Sequence, residues 1–453
     1  MRTHIKARVG AGALLALSLS ACDFITATAT NPNAVSVVTL DQLFTGIQVN
    51  TYFVAEGQLS RLAAMYTQQM TGTDRQFATL DRYVLTEEDS DDEFATIYTG
   101  GGLIDLKTAI AAAQAAGRRP YAGILKIHQA YMFGTAASIW GDIPYSQASD
   151  PAISEPVLDD QAAVYASIQT LLDAAIADLA ATGAGPGNTD FSFQGNAARW
   201  TAVAQTLKAR FHLHMAESTA GTARYASALA AANLGIAANT GNWRAIHSAS
   251  STENNMWYTF MSVQRTGYIS AGDYLVPSMV ARNDPRLSFY FSLASGGGYR
   301  ARGSQLSTST GGYGALDFNT PIVTCAETQY IKAEAQFRLG NIQGAKDAAI
   351  AGLVCEETRF TPNVDLSAQK ATITAASGQA LLDEIMLQKY TALFLDTEVW
   401  NDWKRTCLPR ITQRAGGMPG RLYYGQAERQ SNTNIPETSA QPKWNDNDPV
   451  ACS

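Results

Sequence analysis

The chain has few charged residues of either sign, and this excludes some classes of function. Charged residues make up 16% of the 453 residues, with 33 Lys and Arg against 40 Asp and Glu and a net charge of −7. An acidic surface argues against nucleic-acid binding. After the N-terminal leader, no stretch approaches the roughly eighteen uninterrupted apolar residues of a spanning helix. We therefore expect a soluble folded part, attached to a membrane only by a tether.

Catalytic and metal-binding motifs are absent from the sequence. It contains no HExxH, GxSxG, GxxxxGK[ST] or CxxC motif. His212 and His214 are two positions apart, so on a helix they would point in different directions and would not easily share a metal. The acidic run at 87–93 lacks the spacing of a calcium loop, and a solvated helix start explains it more simply; calcium is the alternative there. The sequence favours a binding protein with no catalytic residues and no cofactor.

Residues 1–21 are basic and then apolar. The apolar stretch at 11–19 is too short to span a bilayer and ends in small residues, so 1–21 is predicted to be a signal peptide. The sequence LSAC, ending at Cys22, resembles a bacterial lipobox. This resemblance implies that Cys22 becomes the lipidated first residue and that 22–35 forms a tether. An ordinary secretory signal with an incidental cysteine is the alternative.

Cysteine is rare, and four cysteines follow Cys22. An even number in an exported chain is typical of disulfides. Cys325 and Cys355 bracket an apparent helix-turn-helix, and antiparallel packing would bring them together. The leading prediction therefore pairs Cys325 with Cys355 and leaves Cys407 with Cys452 to fix the C-terminal tail. Two other pairings, and buried free thiols, are the alternatives.

Apolar periodicity predicts a mostly helical fold. Between 159 and 182 apolar residues recur at intervals of three and four, which is typical of a helix with one buried face. Similar patterns cover 40–70, 94–116, 121–139, 197–217, 226–238, 328–339, 343–353 and 381–403. Successive helices joined by short turns favour a superhelix of antiparallel helix hairpins, as in tetratricopeptide arrays. We expect one body over 36–453, with 325–410 as its C-terminal helix pairs.

Residues 241–320 lose the helical period and are rich in Gly, Ser, Thr, Asn and aromatic residues. We predict that they form a loop-rich insertion that binds the ligand. A sugar ligand requires aromatic faces for its rings and planar polar groups for its hydroxyls. The four side chains singled out here as ligand contacts are Trp257, Tyr258, Trp243 and Tyr268. Packing within the loops is the alternative for each of them.

AYMFGTAASIWGDIPYSQA, with Trp140 and Pro144 at its helix end and turn, is the strongest of several phrases that, in order, resemble the SusD/RagB family of outer-membrane nutrient-binding lipoproteins. NDPRLSFYF around Arg286 and TQYIKAEAQFRLGN around Glu334 follow. LLDEIMLQKYTALFLDTEVWNDWKRTCLP, with Arg405, resembles the closing helix of the family. The resemblance covers nearly the whole mature chain.

The resemblance implies a function and a second group of ligand contacts. Family members bind an oligosaccharide or a similar nutrient on the outside of the outer membrane. They deliver it to a SusC-type TonB-dependent barrel, over which they close as a lid. They also build part of the site from the loop after the first long helix, which here contains Arg75 and Tyr83. The alternatives are a surface glycan hydrolase using Asp273 and a second carboxylate, or a helical scaffold without a small ligand.

Overall fold

A computed structural model describes residues 38–220, 222–448 and Cys452. The predicted signal peptide, Cys22 and the tether lie outside these residues. The chain divides into two compact units, Met1–Gln42 and Leu43–Ser453. In the first unit, the Thr39 backbone N–H donates to the Gln42 side-chain carbonyl (2.9 Å), and the Gln42 backbone N–H donates to the Thr39 hydroxyl (3.2 Å). This is the reciprocal arrangement that starts a helix.

Helices dominate the described part of the chain, which confirms the predicted fold class. They are α1 (Leu40–Glu56), α2 (Gln58–Tyr66), α3 (Arg75–Leu80), α4 (Asp91–Tyr98), α5 (Leu103–Ala115), α6 (Arg119–Trp140), α7 (Gln161–Leu179), α8 (Ala197–His214), α9 (Thr222–Ala232), α10 (Met256–Tyr258), α11 (Leu275–Ala281), α12 (Leu287–Tyr290), α13 (Cys325–Arg338), α14 (Ile342–Glu357), α15 (Ser367–Ala375), α16 (Gly378–Ala392), α17 (Glu398–Thr406) and α18 (Gln426–Ser431).

Four short strands form two antiparallel pairs. They are β1 (Met70–Gly72), β2 (Trp243–Arg244), β3 (Ile269–Ala271) and β4 (Pro321–Val323). β1 pairs with β3, and β2 pairs with β4.

The predicted helix at 40–70 is broken at Gly57, between α1 and α2. A β-carbon at Gly57 would lie 2.4 Å from the carbonyl oxygen of Phe53, so a larger residue would have to push the preceding turn aside. The predicted helix at 94–116 is likewise two helices, α4 and α5. In the first segment the apolar pattern continues across the break, whereas in the second the run of three glycines at 100–102 marks the boundary.

Neighbouring helices pack in sequence order, as the hairpin prediction requires. α6 packs on α7, α7 on α8, α8 on α9, and α13 on α14. α9 and α13 also pack directly together, through a buried cluster that includes Ala228, Ala232, Ile331 and Ala335. The chain between these two helices therefore leaves the array and returns to it.

One helix of the described residues, α7, is long and apolar enough by composition to cross a membrane. Val164, Ile168, Leu172 and Ala175 lie on its buried face. It packs between α6 and α8, as expected of a helix of the array.

Two disulfides join distant parts of the described chain. Cys325 at the start of α13 is bonded to Cys355 in α14, with 6.0 Å between the Cα atoms. Cys407, directly after α17, is bonded to Cys452, with a Cα separation of 5.0 Å. The first bridge links the two helices of a hairpin, and the second holds the C-terminal segment against the end of α17.

A buried carboxylate at the end of α1 anchors the insertion. Glu56 accepts hydrogen bonds from the His247 ring (2.8 Å), the Thr320 hydroxyl (3.0 Å) and the Asn255 side-chain amide (3.3 Å). Glu56 is inaccessible to solvent, so each of these bonds replaces one that water would supply. The start and the end of the insertion are therefore attached to the same side chain.

Because of this anchor, we expect replacement of His247 to weaken the fold most at acidic pH. Burial lowers the pKa of His247, but the bond to Glu56 outweighs burial and leaves the pKa raised. A histidine with a raised pKa in the folded state contributes its full stability below about pH 6.5 and loses that contribution as pH rises through the folded-state pKa. His247→Gln keeps an N–H donor but not the charge. The urea midpoint of His247→Gln should lie further below that of the wild type at acidic pH than at alkaline pH. The same difference in midpoint at both pH values would contradict a role for the charged histidine.

Candidate functional site

The structure brings the two predicted walls of the site together. β1, just before α3, pairs with β3 in the insertion, with Gly72 opposite Ile269. The Thr73 N–H donates to the Tyr268 carbonyl (2.8 Å), and the Thr73 hydroxyl donates to the Gly267 carbonyl (2.6 Å). As a result Arg75 and Tyr268, predicted as contacts in separate segments, lie side by side at the surface.

We call the exposed group formed by Arg75, Arg265 and Tyr268 the Tyr268 surface. The guanidinium carbons of Arg75 and Arg265 lie 5.6 and 5.8 Å from the centroid of the Tyr268 ring. These distances are near the outer limit of a cation–π contact, so the arginines border the ring without packing tightly on it. The Arg75 side chain is 69% exposed and Tyr268 is half-buried. The surface therefore presents an aromatic ring flanked by hydrogen-bond donors.

Buried aromatic rings support this surface from below. Phe77 packs against Tyr268 with 6.2 Å between ring centroids, and against Phe260 with 5.1 Å. The Arg61 guanidinium covers the Phe260 ring at 4.4 Å. Phe77 and Phe260 are both buried. The position of Tyr268 is thus fixed by packing as well as by backbone hydrogen bonds.

Two backbone features lie beside the Tyr268 surface. Arg75 has a φ of +48°, which is uncommon for a residue with a side chain, and Asp74 caps the helix that follows by accepting from the Arg75 N–H (2.9 Å). A π-helical turn, Thr259–Gln264, precedes Arg265. It presents Val263, which is 64% exposed. Strained backbone and π-helical turns are both frequent at functional sites.

The structure corrects the assignment of Trp243 and Trp257 as ligand contacts, because both are in the core. Trp243 is inaccessible, and its ring packs edge-on against Trp200 with 5.2 Å between centroids. Trp257 is 1% exposed, and its indole N–H donates to the Ser60 hydroxyl (3.2 Å). Tyr258 is half-buried, and its backbone N–H donates to the Asn255 side chain.

We therefore expect Trp257→Phe to change stability but not ligand affinity. The substitution removes the bond to Ser60 and part of a buried ring, a loss of about 1–3 kcal/mol in the free energy of unfolding. Chemical denaturation measures that loss, and calorimetric titration with an oligosaccharide bound by the wild type measures affinity. A tenfold loss of affinity at unchanged stability would restore Trp257 as a ligand contact.

Tyr83 lies at the other end of α3, in the wall of a cleft. Its hydroxyl donates to the Tyr66 carbonyl (2.9 Å), so the ring is held in place although little of it is exposed. The opposite wall comes from the C-terminal part of the chain. We call this space the C-terminal cleft; it has a volume of about 300 Å³, and its wall includes Tyr83, Tyr423, Trp444, Arg421 and Lys443.

No periodic pattern in the sequence indicates the C-terminal side of this cleft. The residues from 413 to 444 contain one short α-helix, α18, and one turn of 3-10 helix, Thr438–Ala440, so no periodicity shows which side chains face outward. The available signal was compositional: RLYYG and KW place cations beside aromatic residues, as the predicted sugar chemistry requires.

Asp273, the carboxylate of the hydrolase alternative, forms ion pairs with two arginines. It binds Arg302 through both oxygens, at 2.9 and 2.5 Å, and Arg414 at 2.9 Å. Burial alone would raise the pKa of Asp273, but the two arginines outweigh it and lower the pKa. The neighbouring carboxylate, Asp81, is 3% exposed and also binds Arg414 (3.0 Å). These groups cross-link loops and are not arranged as a free acid and base.

The acidic run at 87–93 forms a helix start and ties the C-terminal segment to the body. Glu87 pairs with Arg429 at 2.8 Å, and Asp89 accepts from the backbone N–H of Thr86 at 2.7 Å. Asp91 accepts from the backbone N–H of Ala427 at 3.1 Å. Within the described residues, no group of three or more His, Cys, Asp or Glu side chains is placed to hold a metal ion.

Comparisons with known proteins agree with this architecture. Residues 32–425 match the family model described as SusD-like, starch-binding and associating with the outer membrane. No curated protein matches the chain.

Solved structures similar to this one include a SusD/RagB family protein of Bacteroides thetaiotaomicron, with 21% identity and a TM-score of 0.73 over 88% of this chain and 95% of that one. A chitin-binding protein has 20% identity and a TM-score of 0.71 over 88% of this chain and 95% of that one. A chitin-binding SusD homologue of Flavobacterium johnsoniae has 16% identity and a TM-score of 0.69, covering 90% and 98% of the two chains. At these identities the likeness establishes the fold.

Proposed function

Because the chain belongs to the SusD-like family, whose members are described as starch-binding and outer-membrane associated, we propose that it is a lipid-anchored glycan-binding protein of the outer membrane. It captures an oligosaccharide at the Tyr268 surface and delivers it to a SusC-type TonB-dependent barrel. The main support is the pairing of β1 with β3, which places Arg75 and Tyr268 together at an exposed surface. The chitin-binding relatives with the same fold are consistent with a glycan ligand.

The chemistry of the Tyr268 surface suits a sugar. A pyranose ring has an apolar face that can pack on the Tyr268 ring. The guanidinium groups of Arg75 and Arg265 offer several N–H donors in fixed planes to the hydroxyls at the edge of that ring. The surface is open, so water competes for these hydrogen bonds. Closure of the protein over a barrel as a lid would exclude that water and strengthen binding.

The ion pairs of Asp273 favour binding over hydrolysis. A glycosidase needs two accessible carboxyl groups, one of them protonated, on either side of the scissile bond. Asp273 is neutralised by two arginines, and Asp81 beside it is buried. The bound sugar would therefore be released unchanged to the transporter.

The delivery step is tested by purifying the detergent-solubilised, full-length protein from its native membranes and identifying what accompanies it. We expect a TonB-dependent barrel in near-stoichiometric amount, and lipid on Cys22 in the mass of the mature chain. Recovery of the protein alone, under conditions in which other membrane complexes survive, would contradict the lid mechanism. An unmodified Cys22 would contradict the anchor.

A further inference from the structure

The C-terminal cleft is separate from the Tyr268 surface and has its own chemistry. The two lie at opposite ends of α3, whose six residues span about 9 Å. The cleft volume of about 300 Å³ is at the lower end of the range for small-molecule sites. Its aromatic walls are Tyr83, Tyr423 and Trp444. Such walls suit the apolar face of a sugar ring.

The charge of the cleft is opposite to that of the protein. Its lining contains two cations, Arg421 and Lys443, and no carboxylate, whereas the whole chain has a net charge of −7. Lys443 is exposed at the rim. Arg421 is 5% exposed; its guanidinium lies 4.8 Å over the Tyr424 ring and its Nε donates to the Leu422 carbonyl, but within the described residues its Nη2 atom has no hydrogen-bond acceptor. A buried guanidinium nitrogen without an acceptor is costly, so an anionic oxygen nearby would be stabilised.

Trp444 is held against the cleft by a close backbone approach. A β-carbon at Gly420 would lie 2.4 Å from Cδ2 of the Trp444 ring, so the ring fits there only because Gly420 has no side chain. The Trp444 ring also stacks on the ring of buried Trp403, with 6.4 Å between ring centroids. The aromatic wall is therefore preorganised, and a single methyl group at Gly420 would displace it.

We propose that the C-terminal cleft binds an acidic sugar residue, with a carboxylate of the uronic acid type directed to Arg421 and Lys443 and the ring packed on Trp444. This inference rests on the proposed function, because it assumes that the ligand is a glycan. It adds the class of sugar, because the glycan would carry negative charge. The cleft recognises an acidic sugar residue of the same glycan that contacts the Tyr268 surface.

Calorimetric titration with tetragalacturonate, and with its carboxyl-reduced neutral counterpart, tests the proposal. We expect the wild type to bind the acidic tetrasaccharide more tightly, with an affinity that falls as salt is raised. Lys443→Met keeps an exposed aliphatic chain but removes the charge, and should weaken binding of the acidic tetrasaccharide roughly tenfold, a larger loss than for the neutral one. Lys346→Met on α14 removes the same charge remote in sequence from the cleft, although Lys346 is half-buried and donates to the Thr374 carbonyl (2.6 Å); it is the control and should change neither.

Gly420→Ala is the second variant: its methyl group would meet the Trp444 ring and the Lys443 carbonyl oxygen, at 2.4 and 2.7 Å, so it displaces the aromatic wall without removing a charge. It should weaken both tetrasaccharides, with circular dichroism confirming that the fold is retained. If Lys443→Met and Gly420→Ala bind tetragalacturonate like the wild type while Tyr268→Ala does not, the cleft proposal is wrong and the proposed function stands. If the wild type prefers the neutral tetrasaccharide, the acidic specificity is wrong. If it binds neither tetrasaccharide, the cleft proposal fails; the proposed function fails as well only if the wild type binds no oligosaccharide on a glycan array.

Discussion

Arg405→Met should destabilise the protein more than any other single change considered. Arg405 is 1% exposed and binds both oxygens of Glu334, at 2.5 and 2.8 Å, as well as Asp402 at 2.8 Å. Burial would raise the pKa of Glu334, but Arg405 outweighs it and the pKa is lowered. Without Arg405 these carboxylates are left buried and poorly compensated, at a cost of about 3–5 kcal/mol in the free energy of unfolding. Chemical denaturation monitored by tryptophan fluorescence measures this loss in the free energy of unfolding.

Arg338→Met is the control for this substitution. Arg338 belongs to α13, the helix that carries Glu334, but is exposed, with its guanidinium 5.7 Å from the Tyr225 ring. Exposed contacts of this kind contribute about 0.5–1 kcal/mol. The same small loss for both variants would mean that the buried network does not hold α13 to α17.

Tyr268→Ala should have the largest effect on binding. Removal of an aromatic contact from the centre of a binding surface costs about 2 kcal/mol or more, which is a roughly 30-fold loss of affinity. The fold should survive, because the backbone of Tyr268 keeps its bond from Thr73 and the side chain is only half-buried. Titration with an oligosaccharide identified on a glycan array measures the change.

Tyr299→Ala provides the matched control, since Tyr299 is also a half-buried tyrosine of the insertion. It should bind like the wild type. Equal losses in the two variants would point to a general disturbance of the insertion. An unchanged affinity in Tyr268→Ala would remove the Tyr268 surface from the binding site.

The sequence predicted the array well because its helices have periodic apolar faces. Trp140, Trp200, Trp400 and Trp403 lie on these helices, and all four are at most 1% exposed. Buried ion pairs join the helices: Arg210 binds Glu327 at 2.6 Å, and Arg405 binds Glu334. In a regular helix the spacing of residues shows which side chains face inward.

The insertion lacks such a period, and there residue type alone was misleading. Tryptophan as a residue type suits a sugar contact, yet the Trp257 ring is buried by residues far away in sequence, including Ser60. Glu56 and His247 are likewise 191 positions apart. These contacts depend on how the insertion returns to α1 and α2, which no local pattern specifies. The family resemblance, and no local pattern, implies Arg75 as a ligand contact, and that assignment stays a prediction.

The most direct test of the account is a crystal structure of the protein with an oligosaccharide that it binds in solution. We predict an intact sugar chain, with one ring packed on Tyr268 and its hydroxyls within hydrogen-bond distance of Arg75 or Arg265. A sugar bound away from β1 and β3, or electron density for a cleaved product, would contradict the central claim that this surface captures a glycan without hydrolysing it.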